Sequence, residues 1–298
     1  MFEEGQLYAP VTKGADGAVE VQLSQDHPGV NDPVYRARRN AIAALAMQWT
    51  EGQPIPHAQY TQDEQDVWRQ VCSELSVLHS SLACRQYLLG AQRLQLPGDH
   101  IPQLDEVTAA LEPLTGFRYI PAAGLVPLRD FYGSLDDGRF YSTQYIRHHS
   151  VPLYTPEPDV VHEVVGHANC LADDRFAALY RAAGAAARRV ESVAALEFVS
   201  KVFWFSLEFG VLREAGQVRT YGAGLLSSYG EIQEVARADL RPLDIARMGV
   251  QTYDITHYQP LLFCADSFDQ VEEVVGGFFS SVDDAVVQRL LAVGAVSP

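Results

Sequence analysis

Two histidines with a carboxylate between them stand inside one short segment of this 298-residue chain, His162-Glu163-Val164-Val165-Gly166-His167. Neutral imidazoles are common ligands for zinc, copper and iron, so a pair this close is a candidate metal site. Zinc-protease helices carry their two histidines four residues apart, on one face. Here the spacing is five, which on an ideal helix turns the side chains about 140° apart. Both rings can converge on one ion if the helix ends or deforms between them, and Gly166 stands where a break costs least. Just upstream, Pro156, Pro158 and Asp159 suit a helix start. The pattern is that of a metal site, but not of a metalloprotease.

A metal held by two neutral imidazoles calls for an anionic third ligand. Glu208 is the only charged residue in the run from Val202 to Leu212, and burying a lone carboxylate is costly unless a cation or hydrogen bonds compensate it. Trp204 lies one turn earlier, on the same helical face. Taken alone, Glu208 also reads as the partner of some arginine; beside the histidines it reads as a ligand. Cys170 lies close by, but a small buried apolar side chain is the better account of it. Two histidines and a carboxylate leave coordination positions open, as in non-haem iron(II) oxygenases. Zinc on the same ligands would give a hydrolase with Glu163 as base. Spacing does not separate the two.

The elements that must position these groups are mainly helical. Residues 1–33 read as irregular, punctuated by Gly14, Gly17, Pro28 and Gly29. Helical periodicity runs from Val34 to about Glu51, then from Tyr60, where Thr61 and Glu64 have capping-box spacing, then over Leu82–Leu94 and from Asp105 to about Glu112, ahead of Pro113 and Gly116. Phe117–Leu128 reads as loop or short strand. Phe176–Arg189 and the very apolar Val190–Leu212 read as helices, Tyr221–Glu231 as a glycine-punctuated turn into another, and Tyr253–Phe263 as a short strand. The fold class is therefore mainly α with a few short β-strands, in one domain without repeats.

A net charge of −16 argues against nucleic acid and anionic membrane as partners. No stretch approaches a membrane span, and the acidic N-terminus is unlike a signal peptide. Four scattered cysteines suit a reduced, cytoplasmic protein.

Longer motifs carry a resemblance. Asp26-His27-Pro28-Gly29, Val34-Tyr35-Arg36-Ala37-Arg38-Arg39, Gly52-Gln53-Pro54-Ile55-Pro56, Thr143-Gln144-Tyr145-Ile146-Arg147-His148, and the segments 154–167, 203–210 and 221–231 resemble the catalytic domain of the pterin-dependent aromatic amino acid hydroxylases, from about residue 20 to 280. The resemblance implies that His162, His167 and Glu208 hold iron(II), and that tetrahydrobiopterin (or a related reduced pterin) and O₂ supply the oxidising chemistry for ring hydroxylation. It implies that Arg147 pairs with the substrate carboxylate, that Thr155, Ser227 and Glu231 are substrate-site or supporting residues, and that Pro158, Trp204 and Ile255 border the side-chain pocket. For the pterin it implies stacking on Phe131, backbone contacts from Gly124, Leu125 and Val126, a wall from Phe203, and a water-mediated contact from Glu163. Unmatched, Phe131 and Trp204 would read as core.

One departure lies beside the metal: Ala168-Asn169-Cys170-Leu171 stands where the family usually has a Val-Pro-Leu run. Trp204 and Ile255 favour phenylalanine, with para attack to tyrosine as the default. Meta attack to m-tyrosine and tryptophan 5-hydroxylation are the alternatives. A zinc hydrolase or a non-catalytic aromatic amino acid binder is the alternative of another class. With no counterpart of the animal members' regulatory domain or C-terminal tetramerisation segment, the expectation is one catalytic domain over 1–298, as a monomer or dimer.

Overall fold

The computed structural model describes residues 11–13, 18–124, 126–255 and 257–294. Local chemistry sets the helix ends. The carboxylate of Asp32 accepts the Val34 and Tyr35 N–H groups at 2.8 and 3.0 Å and opens α1, Pro33–Gln48, with proline in the first turn. The Thr61–Glu64 capping box forms as expected and opens α2, Gln62–Leu82. Helix α3 covers Arg85–Leu94. Helix α4, Leu104–Thr115, runs through Pro113 and stops at Gly116, whose φ of 76° only glycine adopts readily. Pro113 is tolerated because only the last turn loses a hydrogen bond. Helix α5 is Leu128–Asp136.

The segment with the two histidines neither ends nor breaks at Gly166. It winds as a π-helix over His162–Ala168 and continues into a short α6, Asn169–Leu171. Residues five apart lie one above the other in an i→i+5 turn, so the wider winding brings the histidines together. After α7, Asp174–Arg189, comes α8, Val193–Phe203, which also loosens into a π segment, Trp204–Glu208. The helix expected to reach Leu212 ends there. Two short helices follow, α9 over Ala223–Ser227 and α10 over Glu231–Glu234.

Strands are few and short. Residues 1–33 were expected to be irregular, yet β1, Val11–Lys13, and β2, Val19–Val21, pair antiparallel, and the Val21 N–H bonds to Asn40 of α1. Strands β3, Arg118–Pro121, and β4, Arg139–Ser142, pair in parallel around α5. Val211–Glu214 is β5, in hairpin with β6, Gln217–Thr220. With β7, Asp239–Pro242, and β8, Leu261–Ala265, they form one sheet in the order β6-β5-β8-β7. Only the end of the expected Tyr253–Phe263 strand is in β8; residues 253–255 and 257–260 run as loop.

One main hydrophobic core joins most of the helices to the sheet, and the His162–Ala168 and Trp204–Glu208 π segments lie inside it. Gly166 packs against α9 so closely that a Cβ would stand 2.7 Å from the Ala223 carbonyl oxygen. Backbone on both sides leaves no room to yield. We expect Gly166→Ala to lose about 1–3 kcal/mol of stability, despite alanine's better helix propensity. An unchanged urea midpoint would contradict this packing.

Candidate functional site

The π turn and the Trp204–Glu208 segment aim three donors at one point. The His162 and His167 Nε2 atoms are 2.9 Å apart, and Glu208 approaches them with Oε2 at 3.7 Å and Oε1 at 3.1 Å respectively. All three residues are buried. Hydrogen bonding behind the rings fixes which nitrogens carry protons. The Ser227 hydroxyl donates to the Ala223 carbonyl at 2.8 Å, so it accepts from His162 Nδ1–H at 2.9 Å and leaves a lone pair on Nε2. The Tyr180 hydroxyl lies 2.8 Å from His167 Nδ1, where it can accept that proton when a cation takes Nε2. Two imidazole lone pairs then face each other across a gap that only a cation or proton can bridge.

Electrostatics supports a cation. Burial, reinforced by neighbouring His167, pushes the His162 imidazole down to about 4, so the ring is neutral near pH 7. Burial alone would raise the Glu208 carboxyl, but His167 and His162 outweigh it and hold it below its usual value. The Gly224 N–H lowers it further, yet Oε2 is buried without a close hydrogen bond among the described residues. A buried carboxylate needs positive charge beside it, and where both rings turn an unprotonated Nε2 toward it a divalent ion supplies that charge. Ligands about 2.1 Å from a metal are about 3.0 Å apart at neighbouring corners of an octahedron and about 3.4 Å apart in a tetrahedron. Two of the three separations match the octahedral edge. The buried Cys170 thiol faces the Tyr221 carbonyl instead, and burial pushes it up. Glu163, also buried, accepts from the Thr143 hydroxyl at 3.3 Å, with a ligand-type oxygen near both histidines.

A cavity of about 120 Å³ opens beside these donors. Arg147, Thr155, Pro158, Trp204, Ser227, Glu231 and Ile255 all line it, together with His162 and Glu208. Trp204 stacks on Tyr253, with ring centres 4.2 Å apart, and leans on Phe209 at 4.5 Å, forming an apolar wall. Arg147 is buried and pairs through Nε and Nη2 with Asp159, both at 2.8 Å. The guanidinium has five donors, so its Nη1 hydrogens remain for a second carboxylate. The Thr155 hydroxyl donates to the Glu157 carbonyl and shapes the loop rim.

The residues expected to hold a pterin are grouped less tightly. Phe131 is half-buried and edge-on to Phe140 at 5.8 Å, and Phe140 lies 4.7 Å from the His167 ring, so one ring separates Phe131 from the metal ligands. Gly124 is buried and Val126 half-buried just ahead of α5; Leu125 lies outside the described residues. Phe203 lies fully buried between Tyr132 and Tyr180, in the core. Sequence reasoning missed Tyr180, Phe140 and Tyr253, which no local pattern signals. Asp159 was visible only as a helix start.

Residues 16–289 match the family model described as biopterin-dependent aromatic amino acid hydroxylase. The chain is 49% identical over 265 residues to phenylalanine 3-hydroxylase of Streptomyces coeruleorubidus, covering 89% of this chain and 95% of that one. It is 40% identical to the Homo sapiens phenylalanine-4-hydroxylase, covering 88% of this chain but only 59% of that protein's length. Among solved structures, phenylalanine hydroxylase of Chromobacterium violaceum with bound iron(III) and oxidised 7,8-dihydrobiopterin superposes with a TM-score of 0.73 at 26% identity, covering 83% of this chain and 90% of that one. The apo enzyme of Colwellia psychrerythraea 34H gives 0.73 at 27% identity, covering 83% and 94%.

Glu231, at the cavity edge, generates a pH prediction. Burial pushes its carboxyl up to about 7, although the Gln259 N–H at 2.7 Å opposes the shift. The folded state therefore holds this proton more tightly than the unfolded chain. The group's contribution to stability is present below about pH 4.5 and is lost as pH rises to about 7, by about 3 kcal/mol at most. In the metal-free protein, Glu231→Gln should remove that fall, leaving the variant relatively more stable at pH 8 than at pH 5. Parallel urea midpoints for the two proteins across the range would contradict it.

Proposed function

The chain belongs to the biopterin-dependent aromatic amino acid hydroxylases, and from that premise we propose that it is an iron(II)- and tetrahydrobiopterin-dependent monooxygenase acting on phenylalanine with O₂. The observation that carries the metal assignment is the convergence of His162, His167 and Glu208 around a buried carboxylate oxygen that accepts no close hydrogen bond from the described residues. Those three residues would hold iron, and the bound metal with reduced pterin would supply O₂ activation.

The chain's own residues do the rest. Ser227 keeps His162 in the tautomer that offers Nε2, and Tyr180 is placed to accept from Nδ1 of His167 once Nε2 binds the metal. Asp159 locks the Arg147 side chain so that its remaining donors meet the substrate carboxylate without rotamer search. The Trp204, Phe209 and Pro158 wall accepts an unsubstituted aromatic ring and excludes water from the open side of the ligand set. Phe131, with the backbone of Gly124 and Val126, offers the pterin a place one ring away from His167.

For the ring position, the relative at 49% identity, matched over nearly its whole length, favours carbon 3 and m-tyrosine as product. Para hydroxylation to tyrosine is the second reading, favoured by the relatives near 40%. We further propose one catalytic domain, a monomer or dimer, in the cytoplasm. All four cysteines are free thiols, one main core runs from α2 to the C-terminal helices, and no helix among the described residues is long and apolar enough to cross a membrane.

Anaerobically iron-loaded protein given tetrahydrobiopterin, O₂ and phenylalanine should yield m-tyrosine, resolved from tyrosine by chromatography. Tyrosine as the main product would overturn the ring-position assignment and keep the enzyme class. His162→Ala should lose iron and activity together, with metal affinity falling by more than the roughly 10–100-fold typical of losing an outer-shell partner. Retained iron in that variant would overturn the ligand assignment.

A further inference from the structure

Behind the π turn, on the side away from the substrate cavity, lies a buried polar network that none of the roles above uses. The carbonyl of Val165, between the two histidines in sequence, accepts from the Tyr87 hydroxyl and from Asn169 Nδ2, both at 2.9 Å. The second Asn169 Nδ2 hydrogen goes to the Tyr87 oxygen at 3.1 Å. Tyr87 also lies 3.3 Å from Nδ1 of His79, and His79 Nε2 is 2.6 Å from the Leu226 carbonyl. A carbonyl only accepts, so Nε2 carries the proton and the Nδ1 lone pair is a second, more distant acceptor for the one Tyr87 proton, which the Val165 carbonyl takes. Burial pushes His79 down to about 4, which keeps the ring neutral. Tyr87, His79 and Asn169 are all buried.

The network joins the two elements that fix His162. One end is the π turn itself. The other is Leu226, immediately before Ser227, whose hydroxyl accepts the His162 Nδ1 proton. A π turn holds one residue more per turn than the α ladder, and a helix left to itself prefers the α register. Residues five apart in that register diverge by about 140°. Donors on the Val165 carbonyl therefore act where the choice of register decides whether the histidines meet.

We propose that Tyr87 and Asn169 are positioning residues that hold residues 162–168 in the π register and so build the metal site. This rests on the metal assignment above. Their loss should act on metal binding rather than on folding, for two reasons. Helix α3 meets the Asn169 backbone directly, since a Cβ on Gly90 would stand 2.0 Å from the Asn169 carbonyl oxygen, and that contact survives side-chain replacement. A cavity of about 520 Å³ beside Tyr87, Val165 and Asn169 gives replacement side chains room without overpacking.

The test is titration of the metal-free protein with Co(II), followed by absorbance and calorimetry. Tyr87→Phe, Asn169→Leu and the double variant would be compared with wild type and with Leu88→Ala, a change on the same cavity outside the network. The double variant should bind Co(II) about tenfold more weakly, the low end of the range for groups bonded directly to a ligand. Its metal-free melting temperature should match that of Leu88→Ala. Unchanged Co(II) affinity in the double variant would overturn the proposal. So would a loss of metal-free stability with affinity intact, which would make the network structural only. If Asn169→Leu does not fold, Tyr87→Phe alone decides: weaker Co(II) binding supports the proposal and unchanged binding overturns it. Wild-type protein that takes up no Co(II) would overturn the metal assignment itself, and the proposal with it.

Discussion

Everything in this site depends on two imidazole lone pairs being made to face each other beside a buried carboxylate. That arrangement is unfavourable without a cation: His162 and His167 Nε2 stand 2.9 Å apart, and one oxygen of Glu208 takes no close hydrogen bond from the described residues. The protein sustains it with hydrogen bonds to the far side of both rings and with two π-helical segments, one carrying the histidines and one ending at Glu208. Loosened windings of this kind store a local cost that the surrounding core must offset. Here Gly166 against Ala223 and the fully buried Val164 and Ala168 supply the packing.

The substrate side is held from behind by the N-terminal motifs. Arg39 of α1 pairs with Glu157 and lies over the Tyr145 ring, 3.3 Å from its centre. His27 reaches the same carboxylate, the Tyr35 hydroxyl donates to the Ile146 carbonyl, and Tyr145 donates to the Pro158 carbonyl. These contacts fasten the 145–159 stretch, which presents Arg147, Thr155 and Pro158 to the cavity. A buried ion pair such as Arg147–Asp159 adds little net stability, because desolvation cancels most of the attraction. Its effect is to fix geometry.

Much of this was legible in residue types. Asp32, the Thr61–Glu64 box and Gly116 announce helix ends by local chemistry, and the structure follows them closely. The proposed metal ligands stand out because a lone glutamate in an apolar helix and a close histidine pair have few other uses. What stayed hidden was tertiary. Helical periodicity assumes one winding, so a five-residue spacing reads as divergent when the π register makes it convergent. Val211 and Leu212 continue an apolar run that periodicity cannot divide between helix and strand, and pairing with Cys264 and Ala265 decides for strand. Tyr180, Phe140 and Tyr253 approach from distant elements and leave no local trace. The pterin-side residues came from resemblance alone, and the structure sets Phe131 near the ligands while Phe203 lies in the core.

The most direct test of the metal centre is X-ray absorption at the iron edge of the anaerobically Fe(II)-loaded protein. The account predicts scattering from two imidazoles, with oxygen in the remaining positions and no sulfur. A sulfur shell near about 2.3 Å, the distance of a metal thiolate, or a single imidazole would contradict it, because either would mean that the π turn and Glu208 do not form the site.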